Sequence, residues 1–229
     1  MDIASRIKRS LIDSDRYMIL VEGLKNTMII VFLAALLGVV IGVVIATVKM
    51  KKRTGPAGRA AEFAADIYLT VIRGTPITVQ LLITYFVIFV AVPLDRIFVA
   101  SLAFGINSGA YTAEIIRGGI LAVENGQIEA GRSLGLSSFQ TMRYIVMPQA
   151  LKNALPALCN EMIALLKETS VAGFIGVRDV TQAAMLIKAA TYDSFVPLIT
   201  LACIYLVIVI GLTSVIKRIE GRLRRGDQH

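Results

Sequence analysis

Long apolar runs alternate with short basic segments along the chain, and the length of the runs limits what they can be. A helix needs about 20 predominantly apolar residues to cross the hydrocarbon core of a bilayer. Met28 to Val48 is free of charge, and so is Gly74 to Leu94, between Arg73 and Asp95. Ile97 to Ala113 is shorter but can extend past Glu114, and Ser194 to Ile216 is bounded by Asp193 and Lys217. Ala150 to Leu166 is apolar apart from Lys152, Asn153, Asn160 and Glu161. These runs predict five transmembrane helices, at about 24–48, 66–91, 97–117, 150–168 and 194–217. They would take about half of the 229 residues and leave too little for a second folded domain, so 1–229 reads as one all-α membrane domain. The first run exceeds the ~7–15 apolar residues of a signal peptide and is followed by a basic stretch, which makes it a retained span.

Composition agrees. Hydrophobic residues are 56% of the chain and charged ones 17%, below the ~25% of soluble domains. The mean hydropathy is +0.72. Cys159 and Cys203 lie in apolar stretches without CxxC spacing, so free thiols are expected. The one histidine is His229, which leaves no histidine metal site or general base within the chain. No metal site and no catalytic residue is expected.

The formal charge of +8 reads as positively charged cytoplasmic loops rather than a nucleic-acid surface. Lys49, Lys51, Lys52, Arg53 and Arg59 follow the first run, with Gly55-Pro56 breaking the chain. Arg117, Arg132, Arg143 and Lys152 follow the third, and Lys217, Arg218, Arg222, Arg224 and Arg225 follow the last. The loop at Asp95-Arg96 balances, and Thr169 to Asp193 is nearly neutral. This pattern needs an odd number of spans, with the N-terminus out and the C-terminus in. Residues 1–25 carry Arg6, Lys8, Arg9, Arg16 and Lys25 yet fall outside, where Asp2, Asp13, Asp15 and Glu22 nearly cancel the charge; 1–22 is the N-terminal segment. Ile3, Ile7 and Leu11 recur at helical spacing, so the segment reads as an amphipathic helix at the interface or an ordinary solvated one.

Polar residues at membrane depth are the candidate chemistry. Arg73-Gly74-Thr75-Pro76 is either a helix entrance near the interface or a break lining a cavity. Asn160-Glu161 falls midway along the fourth span, and an intramembrane glutamate faces a partner, a water path or a ligand. Its alternative role is a structural pair with Lys167 or Arg73. Glu114 and Arg117, three apart, can pair on a helix.

The segment about 118–149 is long and patterned. Gln127 to Leu134 can form a short helix, Gly135 supplies a turn, and Ser137 or Ser138 can cap a second helix that stops at Pro148. Such an element presents an apolar and charged knob to a partner.

Glu129-Ala130, Gly135 six residues after Glu129, then Ile145, Met147 and Pro148 resemble the EAA motif of ABC importer permeases, E-A-A-x3-G-x9-I-x-L-P. Gly131 and Met147 depart from it mildly in size. NSGAYTAEIIRGG (107–119), RGTPITVQLL (73–82) and LPALCNEMIALLKETS (155–170) resemble the polar amino acid branch, and the likeness runs from about residue 22 to 217. It implies an ABC importer type I permease core in the bacterial inner membrane and a homo- or heterodimer of permease copies. It also implies ABC ATPase subunits and an extracytoplasmic substrate-binding protein as partners. The 129–148 loop would be the coupling helix, with Glu129, Ala130, Gly135, Leu136 and Pro148 as its contact and turn residues. Thr75, Gln80, Asn160 and Glu161 would be the polar contacts to substrate. Glu161 suits either a cationic side chain or the α-ammonium of any amino acid, and a basic cargo is preferred.

The alternative is a secondary transporter or channel without an ATPase partner, against which the EAA spacing argues. A membrane enzyme finds no HExxH, GxSxG or Asp pair. No GxxxxGK[ST] loop is present, so ATP is expected on a separate subunit and no cofactor on this chain.

Overall fold

A computed structural model of the chain describes residues 2–50 and 55–225. Lys51, Lys52, Arg53 and His229, and the side chains of Arg222, Arg224 and Arg225, lie outside what is described. The helices are α1 (Ile3–Ile7), α2 (Tyr17–Met50), α3 (Pro56–Gly74), α4 (Ile77–Ile83), α5 (Arg96–Leu121), α6 (Asn125–Ser133), α7 (Ser138–Thr141), α8 (Met147–Glu168), α9 (Val180–Thr191) and α10 (Phe195–Arg225). No strand occurs among the described residues.

The bundle is organised on the crossing of α2 and α5. Gly38 and Gly42 on α2, and Gly105 and Gly109 on α5, are each four apart, so each pair shares a helix face. A Cβ on Gly38 would sit 3.1 Å from the Ser108 side chain, and one on Gly42 would sit 2.7 Å from Thr112 Cβ. In return, Cβ atoms on Gly105 and Gly109 would come within 2.7 Å of Leu37 Cδ2 and 2.8 Å of Ile41 Cβ. Each helix therefore sets its own side chains over the other's glycines, the close approach that small-residue spacing permits in membranes. Ile30, Ala34, Ala100, Ala103, Phe104, Leu81 and Leu165 form the main core around this crossing.

Two helices, α2 and the Phe195–Arg218 part of α10, are long and apolar enough to cross a membrane alone. Two more spans arise if each bent pair counts as one: α3 with Ile77–Ile88, bent by 110°, and Ser138–Ile175 with α9, bent by 52°. The 26-residue α5 interleaves small and polar residues along its length.

The expected 66–91 span is not one helix. It breaks at Thr75-Pro76, where Thr75 is extended (φ −121°, ψ 145°). A residue before proline is pushed out of the helical region, and Pro76 has no N–H to continue the ladder. Nor does Thr169 to Asp193 remain a loop. It holds a 3-10 turn at Thr169–Ile175 and then α9. Val180, Ala183, Ala184 and Ile187 bury one face of α9 against Leu20, Tyr205 and their neighbours. Asp179 caps the helix by accepting from the N–H of Thr181 (2.9 Å) and Gln182 (3.1 Å). Thr27 Oγ1 accepts from the Val180 N–H at 3.1 Å, and Gly23 lets α2 close on the Asp179 backbone. At 12 residues α9 is too short to register as a membrane run.

The N-terminal segment folds back on the same region. Ser10 is buried and Leu11 packs on the α9 cluster. The Arg6 guanidinium grips Asp193 through two bonds of 2.6 and 2.9 Å and lies 5.2 Å from the Phe195 ring centre. These bonds hold the Asp193 carboxyl down to about 2, so the pair stays ionised at neutral pH and would be lost only as the pH falls through that value. The segment is thus docked on protein.

The glycine crossing yields a direct test. Gly42→Val inserts carbon where Thr112 already sits, and overpacking of this kind costs about 1–3 kcal/mol. We expect a lower unfolding midpoint in detergent. Gly211→Val on α10, with nothing within 4 Å of its Cβ position, should change it little. Equal midpoints for the two variants would refute the packing role.

Candidate functional site

Two adjacent residues of α5, Asn107 and Ser108, hold the polar groups singled out above. Asn107 Nδ2 donates to Gln80 Oε1 at 3.0 Å. Ser108 Oγ donates to Glu161 Oε1 at 3.0 Å. Both α5 residues are buried, at 3% exposure. Gly38 of α2 lies on the other side of Ser108, so Gly38, Ser108 and Glu161 form a line across α2, α5 and α8.

Gln80 is engaged on every side. Its Nε2 donates to the Ile72 carbonyl (2.7 Å), the Thr75 carbonyl (3.1 Å) and Thr75 Oγ1 (2.8 Å). These are carbonyls at the end of α3 that the break leaves without helical donors. Thr75 Oγ1 in turn donates to the Val71 carbonyl at 2.8 Å. Thr75 and Gln80 are therefore brought together, and in this structure they bind each other and close the helix end.

Asn160 and Glu161 are placed differently. Asn160 is exposed on α8, and its side chain makes no hydrogen bond among the described residues. Glu161 is half-buried and forms no ion pair among the described residues, with neither Lys167 nor Arg73 opposite it. Arg73 turns instead to Glu114 (3.8 Å) and lies 5.7 Å from the centre of the Tyr111 ring. Glu114 also binds Arg117 at 2.6 Å, the i,i+3 pair that the spacing allows. The Asn-Ser step within an apolar run was the available signal for the α5 partners; it opens the 107–119 motif but was not among the expected contact residues.

The second site is the α6–α7 turn. Gly135 has φ +83°, and its N–H donates to the Arg132 carbonyl at 3.0 Å. The Leu136 N–H donates to the Gly131 carbonyl at 3.2 Å. Together these bonds make a Schellman C-cap, which needs a left-handed residue where glycine alone is unstrained. Ser137 then opens α7 in a capping box with Gln140. A Cβ on Gly135 would meet nothing within 4 Å, so its requirement is conformational and not steric. Gly131 is buried against Thr141 and Ile145, so the smaller residue at this motif position lets α6 approach the chain beyond the turn. Glu129 and Ala130 are exposed, Leu136 is half-buried, and Leu134 and Phe139 project at 81% and 72% exposure.

Pro148 does not stop the second helix. The chain stays helical from Ser138 through Glu168 by way of a π-helical turn at Met142–Val146. Pro148 cannot donate to the Tyr144 carbonyl, and the widened turn absorbs the fault. The Met147 N–H reaches back to the Met142 carbonyl, and Gln149 Nε2 donates to the Ile145 carbonyl at 2.9 Å. The patterned segment is thus helically continuous with α8, which carries Glu161.

Residues 38–225 match the family model of binding-protein-dependent transport system inner membrane components. An arginine transport system permease protein, ArtQ of Bacillus subtilis, is 39% identical over 210 residues, covering 91% of this chain and 94% of that one. The glutamine transport system permease protein GlnP of Escherichia coli is 37% identical over 209 residues, with 90% and 93% covered. The crystal structure of an amino acid ABC transporter with histidines superposes with a TM-score of 0.86 at 39% identity, covering 97% of this chain and 99% of that one. The MetNI methionine ABC transporter, at 19% identity and a TM-score of 0.76 with 92% and 98% covered, shares the fold. The chain belongs to the family of binding-protein-dependent transport system inner membrane components. It is an all-helical inner-membrane protein with the ABC permease fold.

The bonding of Gln80 separates a structural role from a substrate contact. Gln80→Leu would strand the buried Asn107 amide and the carbonyls at the α3 end, and an unsatisfied buried polar group costs about 1–3 kcal/mol. We expect a lower unfolding midpoint in detergent with no substrate present. An unchanged midpoint would return Gln80 to the list of substrate contacts.

Proposed function

We propose that the chain is the membrane subunit of an ATP-driven importer of polar amino acids, working with separate ABC ATPase subunits and an extracytoplasmic substrate-binding protein. The observation that carries this reading is Glu161, a carboxylate inside an apolar bundle. It is oriented by Ser108 and has no cation opposite among the described residues. A carboxylate so placed needs compensation, and a passing ammonium or guanidinium supplies it transiently. Contact attraction is worth about 4 kcal/mol at 4 Å and an effective dielectric near 20. Desolvation of both partners offsets much of it, which leaves the weak binding that a transport site must have. Exposed Asn160, one residue away, adds a donor and an acceptor for the polar groups of the cargo. Thr75 and Gln80 then contribute by holding the break open at the right angle, with the exposed Thr75 hydroxyl at its edge. Relatives named for arginine and glutamine transport support an amino acid cargo, and Glu161 favours a basic one.

In this reading the chain crosses five times, N-terminus out and C-terminus in, and pairs with an identical or related copy. The cargo crosses between the two copies. The α6–α7 element docks in a groove of the ATPase, with Glu129 toward a basic group there and Leu134 and Phe139 as apolar anchors. ATP binds and is hydrolysed on that partner, and this chain holds no cofactor. The continuous helical path from Ser138 to Glu168, through the π-helical turn at Met142–Val146 and past Pro156 inside α8, supplies the link between the turn and Glu161.

Two measurements test the reading. Gly135→Val forces a β-branched residue into a left-handed conformation, at a cost of about 1–2 kcal/mol or more. We expect it to reduce transport and substrate-stimulated ATPase activity together, and Gly135→Asn to restore part of both, since asparagine tolerates that conformation. Normal transport in Gly135→Val would remove the coupling role. Glu161→Gln keeps the shape and the Ser108 contact but not the charge. Uptake of labelled arginine should fall more than uptake of glutamine, if the system carries both, with membrane insertion intact. Unchanged uptake of both would make Glu161 structural.

A further inference from the structure

A cavity of about 500 Å³ lies between α2, α5 and α8, away from the polar line. Val39, Val43, Ala46, Thr47 and Met50 form one wall, Ile116 and Ile120 a second, and Ala150, Leu151, Ala154 and Leu158 a third. Met142 and Met147 close the end nearest the α6–α7 turn. Thr47, the one hydroxyl in the lining, donates to its own helix at the Val43 carbonyl (2.7 Å) and offers the cavity little polarity. Such a space does not hold water well, because a buried water needs two to four polar partners. Nor does it suit a polar amino acid.

Its dimensions and place fit a different ligand. On α2 the lining runs from residue 39 to 50, about 16 Å at 1.5 Å per residue, and on α8 it covers the same rise from 147 to 158. That is close to the thickness of one leaflet, half of the ~30 Å hydrocarbon core. The inner end stops where the polar line begins, since Val39 follows Gly38 and Leu158 precedes Glu161 by one turn. Val39, Val43 and Leu151 are each about half exposed, so the groove opens sideways toward lipid. At the outer end, Arg143 and Tyr144 follow Met142 directly and both are exposed. Arg143 stacks 5.9 Å from the Tyr144 ring centre and forms no ion pair among the described residues. A basic and an aromatic side chain at this level are the residues that meet lipid headgroups.

We propose that this groove seats one acyl chain of an anionic phospholipid from the surrounding bilayer, with the lipid phosphate against Arg143. The two methionines at the end adapt to the chain as flexible apolar side chains do. A lipid held here would touch both α2 and the helix that runs from the turn to Glu161.

The test uses the full-length protein with its partner subunits, in vesicles of phosphatidylcholine and phosphatidylglycerol. One lipid at a time carries a photoactivatable acyl chain. Peptides covering 39–50 and 142–158 should be labelled more heavily than Leu206 and Val207 on the exposed face of α10. Val43→Phe, which fills the groove from an exposed position, should lower that labelling. Arg143→Gln should lower labelling by phosphatidylglycerol about fivefold and leave labelling by phosphatidylcholine unchanged. Unlabelled phosphatidylglycerol should compete on the unaltered protein, which keeps the test independent of how either variant folds. Labelling no heavier than on α10, or insensitive to competitor, would overturn the proposal. Cross-linking of the groove peptides to a second copy of the chain would overturn it too, by assigning the groove to a protein interface.

Discussion

The polar contacts at the centre of the bundle depend on the close approach of α2 and α5. In a bilayer, apolar side chains gain little by leaving lipid for protein, so helices associate where their backbones can come near and pack tightly. Gly38, Gly42, Gly105 and Gly109 provide that approach, with Ser108 and Thr112 lying over one pair and Leu37 and Ile41 over the other. The same approach buries Asn107 and Ser108. Once buried, these two must find partners, and they find them on the two neighbouring helices, at Gln80 and Glu161. A steric condition at the centre thereby positions both the helix break and the intramembrane carboxylate.

The break and the carboxylate use polar groups in opposite ways. At Thr75-Pro76 the side chain of Gln80 consumes the free carbonyls of α3, so the bend of 110° is a satisfied structure and not a weak point. At Glu161 one oxygen is taken by Ser108 and no cation pairs with it among the described residues. The first arrangement closes a helix end, and the second leaves the carboxylate without an ion pair among the described residues. The Arg73–Glu114–Arg117 cluster belongs with the first kind, because its charges answer one another within the chain.

The α6–α7 turn shows how a short motif specifies a shape. A Schellman cap ending on Gly135 is followed after one residue by the Ser137 capping box, so one helix is ended and the next begun within a few positions. The apolar tips at Leu134 and Phe139 are left outside, and the helix that follows passes Pro148 without stopping. That continuity joins the α6–α7 turn to the helix that carries Glu161.

Several of these features were legible in the sequence because they are local. Run length and charge depletion mark the chain as membrane-embedded, and the Gly135 turn and the Ser137 cap follow from residues only a few positions apart. The oddity of Arg73-Gly74-Thr75-Pro76 and of Asn160-Glu161 is visible in the same way, since each interrupts an apolar run. The tertiary structure alone decided who answers whom. Gln80 and Thr75 closing a helix end, Ser108 on Glu161, Arg6 on Asp193, and α9 docked under α2 all join residues distant in sequence. Hydropathy cannot foresee them, because an apolar residue in a bilayer is equally at ease against lipid or protein. The pattern therefore reports that a segment is buried in the membrane and says nothing of which face meets another helix. Only the packing of backbones through glycine contacts resolves that, and with it which polar groups are used up inside the fold and which are left for a ligand.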